Sequence, residues 1–176
     1  MFDKILIANR GESACRVGAT CRRLGLPAAT VHSSAERAAL HVRLIGESIE
    51  IGGPAASQSY LDGEAIIAAA RAVGAEAIHP GIGFLSEDAG FARAVEAAGL
   101  VFIGPTPETL ERFADKRAAK AEAREAGIPT LDGGADGSAE VAEVAAIVRG
   151  QELPVLLKAA AGGGGRGLRI VTTLDD

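Results

Sequence analysis

The sequence is poor in aromatic residues and lacks clustered positive charge. Aromatic side chains make up only 3% of the 176 residues and tryptophan is absent, so alanine and the aliphatic residues must build the core. The net charge of −5, without any lysine- or arginine-rich cluster, argues against a nucleic-acid-binding surface. No apolar stretch is long enough to cross a bilayer, and the apolar run near the N-terminus is too short for a signal peptide.

Cysteine is also scarce. Cys15 and Cys21 lie six residues apart on a predicted helix and do not share one face of it. This pattern predicts small buried or half-buried thiols in a reducing compartment, and it disfavours a disulfide or a metal site. We therefore expect a cytoplasmic protein.

Hydrophobic residues, by contrast, are abundant at 48%, and up to residue 104 short apolar runs alternate with amphipathic segments. The predicted strands are Ile5–Ala8, Ala28–His32, Ser48–Ile51, Glu76–Ile78 and Val101–Ile103. The predicted helices are Glu12–Leu24, Glu36–Arg43, one capped by Asp62, and one capped by Ser86 that buries Phe91, Ala94, Val95 and Ala98. This alternation predicts an α/β fold, a parallel sheet covered by helices on both faces in a Rossmann-like unit.

The second half of the chain has a different pattern. Thr106 and Pro107 predict the start of one helix, a second helix runs over Asp115–Ala126, and Ser138 is predicted to cap a third. We expect a Rossmann-like domain at 1–104, a helical linker at 105–130 and the start of a further domain at 131–176. One helix and two strands cannot make a stable domain alone, so we expect that last part to be either incomplete or poorly ordered.

A run of glycines between two apolar segments, Val155–Leu157 and Leu168–Val171, predicts strand, loop and strand. Ordering consecutive glycines costs backbone entropy, and a bound anion would offset that cost by accepting hydrogen bonds from bare main-chain N–H groups. Lys158 and Arg166 flank the loop with positive charge. The glycines of this candidate phosphate loop are Gly162, Gly163, Gly164 and Gly165. The alternative is a mobile linker without a ligand.

Two common nucleotide motifs are missing. No Gly-Lys-Ser/Thr follows the glycines, so they do not form a Walker motif. The turn after the first strand, Asn9–Ser13, has one glycine, and His32 and two serines stand where a dinucleotide fold needs an acidic residue. Nicotinamide and flavin binding are therefore disfavoured, and a glycine flap between two strands indicates an ATP-grasp lid.

The chain resembles the N-terminal part of a biotin carboxylase, the ATP-grasp ligase component of biotin-dependent carboxylases. Seven segments carry the resemblance, in the family's order and nearly its spacing. They are KILIANRGE at 4–12, VHSSAER at 31–37, SYLDGEAII at 59–67, AIHPGIGFLSED at 77–88, FIGP at 102–105, DK at 115–116 and the loop at 158–167.

The resemblance implies a pre-ATP-grasp domain, a linker, a lid domain and a C-terminal domain that completes the ATP site. In the family, ATP activates bicarbonate as carboxyphosphate, and the carboxyl group passes to biotin on a carrier protein. Carboxybiotin then serves a carboxyltransferase, often one acting on an acyl-CoA. Members often form homodimers, and neither nucleic acid nor membrane takes part.

Residue roles follow from the resemblance where positions match. Lys116 corresponds to a lysine that contacts nucleotide phosphate, and Lys158 to one that reaches ATP from the lid. Gly162–Gly165 correspond to the lid itself, and Leu168 to an apolar residue of the adenine pocket. His79 and Glu87 belong to a loop at the carboxyl end of the fourth strand, where His79 is expected to fix the loop by hydrogen bonding. If the resemblance is set aside, the sequence predicts that Lys116 is a solvated lysine on a helix and Lys158 a lysine at a sheet edge.

Two positions depart from the family pattern: Ile82 stands where tyrosine is usual, facing the biotin region, and Ala161 replaces the first of five flap glycines. The Mg²⁺-binding glutamates, the bicarbonate-binding residues and the general base are expected beyond residue 176. No catalytic or metal-binding residue is therefore assigned here, and the isolated chain is expected to be inactive.

Two alternative functions stay open. One is a non-catalytic scaffold module, and the other is a different ATP-grasp ligase, such as a carbamoyl-phosphate synthetase or a purine-pathway carboxylase.

Overall fold

The computed structural model describes residues 2–130, 140–158 and 167–173. It divides the chain into two compact units, Met1–Leu110 and Glu111–Asp176. Gly162–Gly165, Arg166 and Ser138 lie outside the described residues. The predicted cap at Ser138 is wrong, because Glu140 is the N-cap of the helix Val141–Arg149. The three-part division expected from the sequence stays a prediction.

The first unit is built on a five-stranded sheet in which every pair of neighbouring strands is parallel. The strands are β1 (Ile5–Ile7), β2 (Ala28–His32), β3 (Glu47–Glu50), β4 (Ala77–His79) and β5 (Val101–Phe102), in the spatial order β3-β2-β1-β4-β5. The predicted parallel α/β fold is thereby confirmed. Central strands of such a sheet are buried on both faces, which is why they read as continuous apolar runs.

Helices cover both faces of this sheet. They are α1 (Gly11–Leu24), α2 (Leu40–Ile45), α3 (Gly63–Ala72) and α4 (Ala89–Ala97), and α5 (Pro107–Ala114) follows β5. Successive side chains of a strand point to opposite faces. Leu6 accordingly packs in one core cluster with residues of α3 and α4, whereas Ile5 and Ile7 pack in another with α1.

Helix boundaries in this unit follow local capping, with one error of prediction. Asp62 caps α3 as expected, because its carboxylate accepts a hydrogen bond from the Ala65 N–H at 2.9 Å. The predicted cap at Ser86 is wrong: Asp88 is the N-cap of α4, and its Oδ1 atom accepts from the Phe91 N–H at 2.7 Å. Phe84 adopts a left-handed φ of 47°, and the following residues form turns instead of a first helical turn.

Two further expectations need correction. The segment predicted as a helix over Glu36–Arg43 is instead a 3₁₀ turn at Ser34–Glu36 followed by α2 at Leu40–Ile45. The Glu36 carboxylate is held by Ser33 and Tyr60, which fixes that turn before a helix can extend. On α4 the buried face consists of Phe91, Ala92 and Val95, and Ala94 is exposed.

The second unit holds α6 (Lys116–Glu125), α7 (Val141–Arg149) and the antiparallel strands β6 (Val155–Lys158) and β7 (Leu168–Val171). The strand–loop–strand prediction is confirmed for both strands. Asp115 caps α6, since its Oδ1 atom accepts from the Arg117 N–H at 2.7 Å and from the Ala118 N–H at 3.2 Å. These two backbone hydrogen bonds lower the pKa of its carboxyl group. Arg112 forms an ion pair with Glu122.

Neither cysteine forms a disulfide: Cys21 is buried and Cys15 is half-buried, as predicted. Burial raises the pKa of the Cys21 thiol. Within the described ranges, no helix combines the length and apolarity needed to cross a membrane.

The buried side chain of His41 is expected to make the stability of the protein depend on pH. Its ring is fully buried, its Nε2 atom lies 3.2 Å from the Val31 carbonyl oxygen, and its Nδ1 atom has no partner among the described residues. Burial lowers the pKa of His41, against the weaker raising effects of the Val31 carbonyl and Glu36; His32 and Arg10 act in the lowering direction. The unfolded chain therefore binds more protons below about pH 6.5. Stability is full above that pH and falls as the pH drops toward the folded pKa.

Urea unfolding between pH 8 and pH 5 tests this expectation. For each pKa unit by which folding lowers the pKa of His41, the free energy of unfolding falls by about 1.4 kcal/mol at acidic pH. His41→Gln cannot titrate, so its free energy of unfolding should fall less steeply with acid than that of the wild type. The pKa of His79 is also lowered by burial, so a residual slope is expected. Identical slopes in the two proteins would contradict the assignment.

Candidate functional site

The carboxyl ends of β1 and β4 lie side by side in the centre of the first sheet. Ile7 of β1 pairs with Thr30 of β2 on one side and with His79 of β4 on the other. The chain continues from β1 through α1 to β2 on one side, and β4 occupies the other side. Open α/β sheets bind ligands outside the carboxyl ends of their strands, where the strand order reverses in this way.

Asn9 holds the loop that follows β4. The side chain is 3% exposed, and its Nδ2 atom donates to the carbonyl oxygens of Pro80 at 2.7 Å and Ile82 at 3.0 Å. Its Oδ1 atom accepts from the Arg10 N–H at 2.9 Å. Sequence reasoning missed this role, although an asparagine placed directly after a buried strand is a signal for side-chain bonding to backbone.

The backbone of this loop is left-handed at three of four successive positions. Gly81 has φ of 71°, Gly83 of 70° and Phe84 of 47°. A Cβ atom at Gly81 would stand 2.5 Å from the Asn9 Nδ2 atom and 2.6 Å from the Ser13 Oγ atom, so the loop needs glycine there. A bulky residue in the left-handed region costs about 1–3 kcal/mol and persists only when its surroundings enforce it. Ile82 is 81% exposed at the tip of the loop.

His79 fixes the loop from inside. The Gly81 N–H donates to its Nδ1 atom at 3.0 Å, so the neutral ring carries its proton on Nε2. Burial lowers the pKa of His79, which keeps the imidazole neutral at pH 7. This is the hydrogen bond expected of a loop-fixing residue, and any role of His79 toward a ligand stays a prediction. Glu87 is exposed in the turn before α4.

A second polar cluster lies at the carboxyl end of β2, and the sequence did not predict it. The Tyr60 hydroxyl donates to the Glu36 Oε2 atom at 2.7 Å, and the Ser33 Oγ atom donates to the same oxygen at 3.2 Å. The Arg10 guanidinium lies 3.4 Å from the Glu36 carboxylate. Burial, and then the hydrogen bond to Glu36, raise the pKa of Tyr60 to about 12, so the phenol stays protonated and donates.

The Tyr60 ring connects this cluster to the loop after β4. It stacks on the Phe84 ring with centroids 5.1 Å apart and an interplanar angle of 15°. The Arg10 guanidinium carbon lies 5.9 Å from the Tyr60 centroid on the polar side of the cluster. The ends of β1, β2 and β4 thus share one network of side chains.

In the second unit, the hairpin brings two predicted site residues together. Lys158 pairs directly with Leu168, and Leu156 pairs with Ile170. Directly opposed and alternate residues share a face of a hairpin, so these four side chains lie on one face. The three apolar ones are 45%, 48% and 63% exposed for Leu156, Leu168 and Ile170. An exposed apolar face with an ammonium group at its end suits a flat ring that carries an anionic group.

Lys116 lies in the same unit as the hairpin, at the first position of α6 and directly after the cap Asp115. Its side chain is exposed. The structure therefore brings Lys158 and Leu168 together, whereas the contributions of Lys116 and of Gly162–Gly165 to a nucleotide site stay predictions.

Two family models match the chain in succession. The first, described as biotin carboxylase, N-terminal domain, matches residues 1–110. The second, described as carbamoyl-phosphate synthase L chain, ATP binding domain, matches residues 115–176.

Curated relatives agree with the first match. A biotin carboxylase of Pseudomonas aeruginosa is 49% identical over 172 residues, which cover 97% of this chain and 38% of that protein. The alpha subunit of rice mitochondrial methylcrotonoyl-CoA carboxylase is 49% identical over 176 residues, covering 99% of this chain and 24% of the subunit. The chain thus spans about two fifths or less of the length of these relatives.

Solved structures are similar as well. A biotin carboxylase from Campylobacter jejuni, in complex with β,γ-ATP, superimposes with a TM-score of 0.90 at 41% identity, covering 100% of this chain and 40% of that one. The biotin carboxylase domain dimer of Hydrogenobacter thermophilus 2-oxoglutarate carboxylase, in complex with MgADP, ADP and bicarbonate, gives a TM-score of 0.89 at 44% identity, covering 99% and 38%. Because the first family model covers more than half of the chain and relatives and structures agree with it, the chain belongs to the biotin carboxylase family.

Proposed function

We propose that this chain is the N-terminal part of a biotin carboxylase that uses ATP and bicarbonate to carboxylate biotin on a carrier protein. This reaction is the first half-reaction of an acyl-CoA carboxylase. The observation that carries the proposal is the agreement of both family matches, in order, along the whole chain. The carrier protein, the carboxyltransferase and a homodimeric assembly in the cytoplasm are parts of the same proposal.

The hairpin supports nucleotide binding in the second unit. Lys158 ends β6 and Leu168 begins β7, so the glycine-rich connection starts and ends beside these two side chains. In the proposed complex, Leu168 with Leu156 and Ile170 contacts the adenine ring. Lys158, Lys116 and the main-chain N–H groups of Gly162–Gly165 neutralise the phosphates.

ATP supplies the phosphoryl group that activates bicarbonate, and Mg²⁺ balances phosphate charge during transfer. Within the described ranges, no three His, Cys, Asp or Glu side chains gather to hold a metal ion. The metal ligands are proposed to come from other parts of the intact carboxylase. The role proposed for this chain is to hold the triphosphate from the lid side and to present the loop after β4.

A chimeric protein tests nucleotide binding. The 176-residue chain replaces the matching N-terminal segment of the Pseudomonas aeruginosa relative, and calorimetry measures its affinity for MgATP. Lys116→Gln and Lys158→Gln each remove one charge-assisted contact to phosphate, so the affinity should fall about tenfold or more. Lys120→Gln is the matched control, because it removes a lysine from the same helix.

Two outcomes would decide against nucleotide binding by these lysines. One is a folded chimera that binds no MgATP while the Pseudomonas aeruginosa parent does, which would favour a scaffold module. The other is an equal, small effect of all three substitutions, which would assign Lys116 and Lys158 to the solvated surface.

A further inference from the structure

We infer that Tyr60 is a positioning residue, whose ring holds Phe84 in its left-handed conformation and so fixes the loop that follows His79 at the end of β4 and carries Glu87. The loop's part in carboxylation rests on the proposed function. The positioning of the loop by Tyr60 rests on contacts within the first unit alone.

Phe84 needs an external support. Among the described residues, it is the one non-glycine residue with a positive φ. Its side chain is 36% exposed, so burial in the core does not hold it in place. The neighbouring ring of Tyr60, at 5.1 Å and nearly parallel, provides the contact that favours this backbone conformation.

Tyr60 is rigid enough to act as this support. It is 1% exposed, and its hydroxyl group is held from two sides. It donates to the Glu36 carboxylate at 2.7 Å and accepts from the Ser33 N–H at 3.1 Å. These bonds anchor the ring to the carboxyl end of β2. In the sheet, β1 lies between β2 and β4, so no backbone pairing joins β2 to β4.

The loop is therefore held at two points. Asn9 fixes the carbonyl groups of Pro80 and Ile82, and Tyr60 fixes Phe84 two residues further on. Ile82, whose carbonyl group is one of those held by Asn9, is 81% exposed at the tip of the loop. Removal of either anchor should free the Gly81 N–H from the His79 ring.

Hydrogen exchange and a histidine titration by NMR, both on the 176-residue chain without any ligand, test the inference. Phe84→Gly removes the ring and also relieves the left-handed backbone, so it should fold. We expect its amides at 82–86 to exchange roughly tenfold faster or more, while amides of β1 and β4 exchange as in the wild type. Loss of the Gly81 hydrogen bond and entry of water should raise the pKa of His79 toward its ordinary value, while the buried His41 titrates as before.

Variants of Tyr60 separate positioning from a general structural role. Tyr60→Phe keeps the buried, stacked ring and loses only the two hydrogen bonds of the hydroxyl group, so loop exchange should rise by clearly less than in a variant that lacks the ring. Tyr60→Leu removes the ring and should reproduce the loop exchange and the His79 titration of Phe84→Gly. If Phe84→Gly leaves both measurements unchanged, or if Tyr60→Phe frees the loop as much as Tyr60→Leu does, the inference is wrong. Neither readout involves MgATP or biotin, so failure of the proposed function would leave this result unaffected.

Discussion

Gly81→Ala is expected to lower the free energy of unfolding by about 2–6 kcal/mol, the sum of backbone strain and overpacking. The residue has φ of 71°, a conformation that alanine adopts only with strain. The added methyl group would also stand 2.5 Å from the Asn9 Nδ2 atom and 2.6 Å from the Ser13 Oγ atom. Asn9 cannot move away without losing its hydrogen bonds to Pro80 and Ile82.

Gly83→Ala is the matched control for Gly81→Ala. It lies two residues further along the same loop with φ of 70°, but nothing stands within 4 Å of an added Cβ atom. It should therefore show the backbone strain alone, about 1–2 kcal/mol. Urea denaturation of both variants measures the difference. Equal losses would mean that Asn9 and Ser13 do not enclose Gly81 as described.

Asn9→Asp is expected to destabilise the protein by about 3–5 kcal/mol at pH 7, although the two side chains have nearly the same shape. The Nδ2 atom donates to two carbonyl oxygens at 2.7 Å and 3.0 Å, and a carboxylate oxygen in its place would repel both. The site is 3% exposed, so water cannot solvate the charge. Burial and the facing carbonyl groups should raise the pKa of the new carboxyl group above about 3.9.

The sign of the pH dependence follows from that raised pKa. The protonated carboxyl group can donate one hydrogen bond to a carbonyl oxygen. The deficit, meaning the loss in free energy of unfolding relative to the wild type, is therefore smallest below about pH 4. It grows as the pH rises through the folded pKa, because the folded state must then bury a charge. Asn9→Ala loses the same hydrogen bonds without adding a charge, and its deficit should not vary with pH. Denaturation curves at several pH values that show a constant deficit for Asn9→Asp would contradict this description.

Local patterns were sufficient to predict most of the fold. Strand β2 was predicted with its observed bounds, and the predicted cap at Asp62 follows from side-chain chemistry that acts within three residues. The cap at Ser86 was wrong because Ser86 and Asp88 are both good capping residues two positions apart. The choice between them depends on the left-handed Phe84, whose conformation is supported by Tyr60.

The network at the carboxyl edge of the sheet could not be predicted in the same way. Asn9 and Pro80 are 71 residues apart in the chain, and Tyr60 and Glu36 are 24 apart. Such pairs become visible only when the strand order is known. Family resemblance indicated Lys158 and Leu168, and the antiparallel register places them opposite each other. Tyr60 lies in the matching segment 59–67, but the resemblance assigned it no role, because a stacked ring behind a loop leaves no local motif.

Turnover by the chimeric carboxylase tests the central claim most directly. ATP hydrolysis is measured with and without bicarbonate and biotin, on the chimera that carries this chain in place of the Pseudomonas aeruginosa segment. We predict hydrolysis that requires both bicarbonate and biotin, that is lost in Lys158→Gln, and that is kept in Lys120→Gln. A folded chimera whose hydrolysis does not depend on bicarbonate and biotin would contradict the assignment of this chain to biotin carboxylation.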